Sequence, residues 1–299
     1  MHVDTGLEQL FFTTVPIFTQ KASEPDKVGY GTGFIFAYQT DELKQRDESI
    51  FFLVTNKHVV NSADSGQIQF FHKTPAGQPV LGKVESVKVS NFAAGFHGHP
   101  NTDIDIAVMP LNGVLRLLIE RNVDVFYRSI PSHLLLTNEQ MADLDAVEEI
   151  TFIGYPKLLR DPVNLTPLAR KGTTATPVVI DYDGQPKFLV DAAVFEGSSG
   201  SPVFLADPGI RYRENQVQFA NRLHLIGVIA QLISTETKGE IQVSRETDAV
   251  AFAASMVHMM NLGVVYRATT ILETIDDFLR THFNVEPSPD DTVEPVSGE

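Results

Sequence analysis

Along most of this 299-residue chain, apolar positions recur every second residue or gather in short runs bounded by Gly, Pro, Asn and Asp. That is the pattern of β-strands. It predicts strands at 13–19, 33–38, 49–55, 67–72, 80–89 and 104–111. A second group falls at 149–154, 168–177, 178–182, 188–193, 203–206, 224–234 and 263–267. Turn-rich or charged stretches at 39–48 and 61–66 separate the early strands. Residues 112–146 cross between the groups, and Val114-Leu115-Arg116-Leu117-Leu118-Ile119 suits either a strand or a helical turn. The period changes to a helical one at Ile271, Leu272, Ile275, Phe278 and Leu279, predicting a closing helix capped by Thr269 or Thr270. Residues 208–221 read as a solvated hairpin or loop, and the Ala/Met-rich stretch 250–260 as a short helix. The tail 286–299, rich in Pro, Asp, Glu and Ser and without periodicity, is expected to be disordered.

Chemistry concentrates at three places on this pattern. In Phe195-Glu196-Gly197-Ser198-Ser199-Gly200-Ser201-Pro202-Val203-Phe204, two glycines bracket a serine before an apolar strand. Such a tight turn suits an exposed nucleophile, and Gly197 can adopt backbone angles that aim its N–H at a developing oxyanion. His58 follows the apolar run Phe51-Phe52-Leu53-Val54-Thr55 by three residues. Asp105 lies in Asp103-Ile104-Asp105-Ile106-Ala107-Val108-Met109, where Ile104, Ile106 and Val108 alternate with Asp103, Asp105 and Ala107. His, Asp and Ser together are the set nucleophilic acyl transfer requires. Asp103 shares a predicted strand face with Asp105 and is its rival for the acid. An α/β-hydrolase elbow, Gly-x-Ser-x-Gly, is not matched, because Ser201 stands two positions after Ser199 and the order of the three residues is reversed.

With these motifs, and with Gly31-Thr32-Gly33-Phe34-Ile35, Ile153-Gly154-Tyr155-Pro156, Leu225-Ile226-Gly227-Val228-Ile229 and Asn261-Leu262-Gly263-Val264-Val265 in order, the chain resembles the trypsin-like (chymotrypsin-fold) serine proteases. It resembles the bacterial HtrA and glutamyl-endopeptidase branches more than the digestive trypsins. The resemblance implies an all-β protein of two packed six-stranded antiparallel barrels with a C-terminal helix. Residues 1–118 would form the first barrel, carrying His58 and Asp105, and 119–268 the second, carrying Ser199. Residues 269–283 would be the closing helix and 284–299 the tail. It further implies Ser199 as nucleophile, His58 as general base and acid, Asp105 as the residue that orients the imidazole, and the Gly197 and Ser199 N–H groups as the oxyanion hole. Asp105 is preferred to Asp103 because the family acid directly precedes Ile-Ala-Val. Ser198 stands where zymogen-activated trypsins carry an aspartate, so a switch by N-terminal cleavage is not expected. The S1 pocket would be floored by Ala193 and walled by Ala230, Gln231 and Leu232, favouring apolar P1 residues over Lys or Arg. Lys171 or Arg170 could reach in from a neighbouring strand.

Composition narrows the setting. The hydrophobic fraction of 43% is ample for a sizeable core. The absence of cysteine points either to a reducing compartment or to a disulfide-free bacterial branch of the family, and with no secretory-type start the cytoplasm is expected; the resemblance implies a bacterial source. No apolar run reaches the roughly 20 residues of a membrane helix. A net charge of −15 argues against nucleic acid. His97-Gly98-His99 near Asp103 prompts the question of zinc, but the Gly- and Pro-rich setting favours a surface loop, and no metal or cofactor is assigned. The expected partner is a protein or peptide substrate. Two alternatives stay open: an effector protease silent until a regulatory protein engages it, and a non-proteolytic binding module on the same fold.

Overall fold

The computed structural model describes residues 2–157, 159, 161–207, 210–213, 216–219, 222–243 and 250–284; the acidic tail therefore lies outside the described residues. Nine strands build the N-terminal sheet: β1 (Thr14–Lys21), β2 (Glu24–Tyr38), β3 (Ile50–Thr55), β4 (Ser65–Lys73), β5 (Pro79–Ser90), β6 (His97–Gly98), β7 (Ala107–Pro110), β8 (Val125–Phe126) and β9 (Ile130–Pro131). Their order is β5-β4-β1-β2-β3-β7-β6, with β8 on β4 and β9 parallel to β2. The path does not return on itself, so this unit departs in detail from a six-stranded barrel: its ends are β5 and the two-residue β6. The second unit does close, as β10 (Glu149–Gly154), β11 (Leu168–Thr174), β12 (Lys187–Asp191), β17 (Val250–Arg267), β16 (Arg222–Val243) and β13 (Pro202–Asp207). Between β13 and β16 stands a hairpin of β14 (Ile210–Arg213) and β15 (Gln216–Phe219). Because β8 and β9 pair with the first sheet, its hydrogen bonding extends past residue 118 to Pro131. The crossing segment contains a helix, Asn112–Glu120.

Both faces of β3 and of the last part of β2, residues 33–38, are covered, which is why the sequence there runs apolar without a clean alternation; the start of β2 is exposed. Ile35 and Leu53 face a core inside the N-terminal unit with Ile17, Ile68, Phe70 and Met109. Phe34, Phe36, Phe52 and Val54 face a second core, shared with Phe204, Leu225 and Val228 of the barrel and with Ile271, Ile275 and Leu279 of the helix Thr269–Phe283. Phe152, Phe188, Val190, Val203, Ile229 and Val265 fill the closed barrel. The helix starts one residue earlier than a threonine cap would require: Ala268 occupies the N-cap without a side-chain bond, and the Thr270 hydroxyl donates to the Arg267 carbonyl at 2.7 Å. Residues 250–260 are strand, not helix. They continue β17 in unbroken register against β16, from Val243↔Val250 to Ser234↔Met259, so ladder pairing overrides the Ala/Met composition. Among the described residues, no helix is long and apolar enough to cross a membrane.

Candidate active site

His58 leaves β3 on a short helical turn, Lys57–Val60, anchored by the buried Val59 and Val60. Its imidazole is half exposed, and Nδ1 lies 2.5 Å from Asp105 Oδ2. The other carboxylate oxygen, Oδ1, accepts the His58 backbone N–H at 3.0 Å. Both oxygens of Asp105 are thus committed to one residue. Asp105 does not stand on a strand; β7 begins only at Ala107, and Asp105 and Ile106 are irregular backbone after a turn and bends at 101–104. Other bonds hold that turn. Asn56 donates to the Asp105 carbonyl at 2.7 Å, the Lys57 ammonium to the carbonyls of His99 and Asn101, and Tyr266 to the Asp103 carbonyl. Burial pulls the Lys57 pKa below its ordinary value against the opposing pull of Asp105 and Asp103, and burial pushes the Tyr266 phenol up. Asp103 makes no bond to His58; its N–H donates to Asn101 Oδ1. His97 and His99, weighed as metal ligands, pair instead with carboxylates of the closing helix: His97 Nε2 with Asp277 at 2.8 Å and His99 Nε2 with Glu273 at 2.9 Å. These two pairs fasten the acid-bearing turn to the helix.

The nucleophile turn is shaped by two glycines with left-handed backbone, Gly197 at φ +92° and Gly200 at φ +86°. A Cβ on Gly197 would sit 2.7 Å from the Tyr155 carbonyl and 2.8 Å from the Lys157 nitrogen, and one on Gly200 would run into the Thr32 carbonyl. The peptide groups around Ser199 are oriented through their carbonyls. Glu196 O accepts from Lys157 N at 2.9 Å and Ser198 O from Ser201 N at 3.0 Å. In a trans peptide the N–H points opposite to the C=O, so the Gly197 and Ser199 N–H groups face the other way. Neither has a hydrogen-bond partner among the described residues. The Ser199 hydroxyl donates to the Ala230 carbonyl at 3.1 Å rather than to His58.

Of the proposed pocket residues, Ala193 is half-buried and Gln231 exposed, while Leu232 packs against the barrel-interior core. Ala230 buries its methyl in the inter-unit core and presents only its carbonyl to Ser199. The Arg170 guanidinium stacks 4.4 Å from the centre of the Phe195 ring, and burial lowers its pKa. Sequence reasoning overlooked Thr32, Asn56, Lys57 and Lys157 as parts of the site. Only Thr32 carried a visible signal, a lone hydroxyl between two glycines on an apolar strand.

Residues 31–209, well over half the chain, match the model of the trypsin-like peptidase domain, and the chain belongs to that family. A search of curated protein sequences returned no match. Among solved structures, the chain is similar to the active form of the Rv3671c protease from M. tuberculosis, with 14% identity and a TM-score of 0.42 over 95% of this chain and 86% of that one. It is similar to the protease Anisep from Arthrobacter nicotinovorans, with 13% identity and a TM-score of 0.48 over 89% of this chain and 94% of that one. An inactivated protease paralogue of the scabies mite matches with 14% identity and a TM-score of 0.46 over 91% of this chain and 97% of that one.

Proposed function

We propose that this chain is a serine endopeptidase that cleaves peptide bonds through an acyl-enzyme intermediate. The observation that carries the reading is the Asp105–His58 pair, both carboxylate oxygens engaged, in the same fold as a serine whose turn leaves two N–H groups without a partner among the described residues. With Nδ1–H donated to Asp105, the lone pair of His58 is on Nε2, the nitrogen that must act as base. His58 takes the Ser199 proton as Oγ attacks the carbonyl carbon of the substrate. The Gly197 and Ser199 N–H groups bind the resulting oxyanion, and the proton passes to the leaving amine; water then repeats the sequence on the ester. Charge-aimed donors of this kind are typically worth about 3 kcal/mol each in the transition state. The pocket is expected to admit apolar P1 side chains at Ala193, Gln231 and Leu232, and a cysteine-free chain suits the bacterial cytoplasm.

Ser199 resting on the Ala230 carbonyl, off His58, favours a second reading, an effector protease that a partner or substrate must switch on. Free enzymes do leave such bonds unmade until substrate arrives. Hydrolysis of a quenched peptide library by the unaltered chain, lost in Ser199→Ala, supports the first reading. Hydrolysis appearing only after cell extract is added supports the second, and none under either condition leaves the binding module.

A further inference from the structure

Thr32 lies on β2 between Gly31 and Gly33, with no surface exposed. Its strand neighbour on β1 is Pro16, which has no N–H to offer. The polar groups of Thr32 are all turned toward the other unit and toward β3. The backbone N–H donates to the Ser199 carbonyl at 2.8 Å, and the backbone carbonyl accepts from the Thr55 hydroxyl at 2.7 Å. The side-chain hydroxyl accepts the Tyr155 N–H at 2.9 Å and donates to the Gly197 carbonyl at 2.8 Å. One residue of the N-terminal sheet therefore holds the carbonyls of Gly197 and Ser199, and the hydroxyl of the residue that ends the strand leading to His58.

We infer that the Thr32 hydroxyl is a positioning residue for the oxyanion site, acting through Gly197. The Gly197 N–H lies in the Glu196–Gly197 peptide plane, and the Gly197–Ser198 plane links it to the plane that carries the Ser199 N–H. Lys157 N fixes the first by holding Glu196 O, and the Thr32 hydroxyl fixes the second by holding Gly197 O. Tyr155 and Lys157 come from one short segment, so the relay Tyr155 N–H to Thr32 Oγ1 to Gly197 C=O and the bond from Lys157 form a single brace behind the hole. Glycine at 197 has no Cβ to restrict its angles, so the brace must come from hydrogen bonds. Without the hydroxyl, the Tyr155 N–H and the Gly197 carbonyl lose their shared partner in a buried place, and the second plane is held only at its other end, where the Ser198 N–H donates to the Phe195 carbonyl at 2.9 Å. That plane joins the two that carry the oxyanion donors, so its setting governs how the Gly197 and Ser199 N–H groups converge.

The inference rests on the serine endopeptidase reading. Thr32→Val keeps the shape and removes the hydroxyl, and Thr32→Ser keeps the hydroxyl. On a chromogenic peptide amide, Thr32→Val is expected to lower kcat by about 30- to 100-fold with KM within about threefold, as misplaced catalytic donors do. Affinity for a peptidyl boronic acid, which mimics the tetrahedral state, should fall by the same factor, while Thr32→Ser stays within about threefold throughout. Equal losses in both variants, a loss confined to KM, or an unaffected Thr32→Val would overturn the assignment. Thermal melting checks folding, and Thr32→Ala takes the same tests where the valine variant does not fold. Failure of the underlying reading shows separately, as an unaltered chain without Ser199-dependent hydrolysis, and removes this inference with it.

Discussion

Asp105→Asn replaces a group with two acceptor oxygens by one that has a single oxygen and an NH2, at a position where both oxygens are in use. Oδ2 lies 2.5 Å from His58 Nδ1 and Oδ1 lies 3.0 Å from the His58 backbone nitrogen. An amide cannot satisfy both. If its oxygen faces Nδ1, its NH2 is set against the backbone N–H, donor to donor. If its oxygen keeps the backbone bond, its NH2 donates to Nδ1 and the imidazole proton moves to Nε2, which abolishes the base. Either choice also removes the negative charge that stabilises the imidazolium. The loss of turnover expected from the wrong tautomer is about 10⁴-fold, equivalent to roughly 5 kcal/mol of transition-state stabilisation. Asp103, two residues away, makes no bond to His58, so Asp103→Asn should cost less than about tenfold. Steady-state hydrolysis of one peptide amide by both variants decides the matter. Equal losses, or a loss below tenfold in Asp105→Asn, would refute the reasoning.

Gly200→Ala forces a Cβ toward the Thr32 carbonyl at a left-handed φ, so unfolding in urea should show a loss of more than about 2 kcal/mol; a change under about 0.5 kcal/mol would contradict this. In a P1-varied fluorogenic series, apolar residues should exceed Lys and Arg, because no acid stands at Ala193 and the Arg170 guanidinium stacks on Phe195; a clear Lys/Arg preference would show a counter-ion from elsewhere. Burial, and Arg222 nearby, lower the pKa of His224 below its ordinary 6.5. The unfolded chain therefore binds that proton more readily, and stability should fall as pH drops below 6.5 and be level above it. Replacing His224 with Phe should reduce that acid-side decline in melting temperature, and an unchanged decline would remove His224 as its cause.

Where one rule of chemistry acts on neighbouring residues, the sequence alone was a sufficient guide. The strands 49–55 and 149–154 lie within a residue of β3 and β10, because their apolar positions are set by burial. The closing helix was legible from the spacing of Ile271, Ile275 and Leu279. What escaped was decided by distant partners. The alternation at Ile104 and Ile106 suggested strand, yet Lys57, Asn56 and Tyr266 hold that stretch as a turn followed by irregular backbone. Residues 250–260 have helix-favouring composition and become strand only because β16 supplies a ladder. Spacing alone could nominate His58, Asp105 and Ser199. It could not show that the serine hydroxyl rests on Ala230, or that Thr32 reaches residues 165 and more positions away.

The most direct measurement is covalent trapping of the nucleophile. A fluorophosphonate reacts with a serine only when a base and an oxyanion site activate it. Incubation of the purified chain followed by peptide mapping should place one equivalent of phosphonate on Ser199, with none in Ser199→Ala or His58→Ala. Label on Ser198 or Ser201, or a fully folded chain that takes up none, would contradict the account.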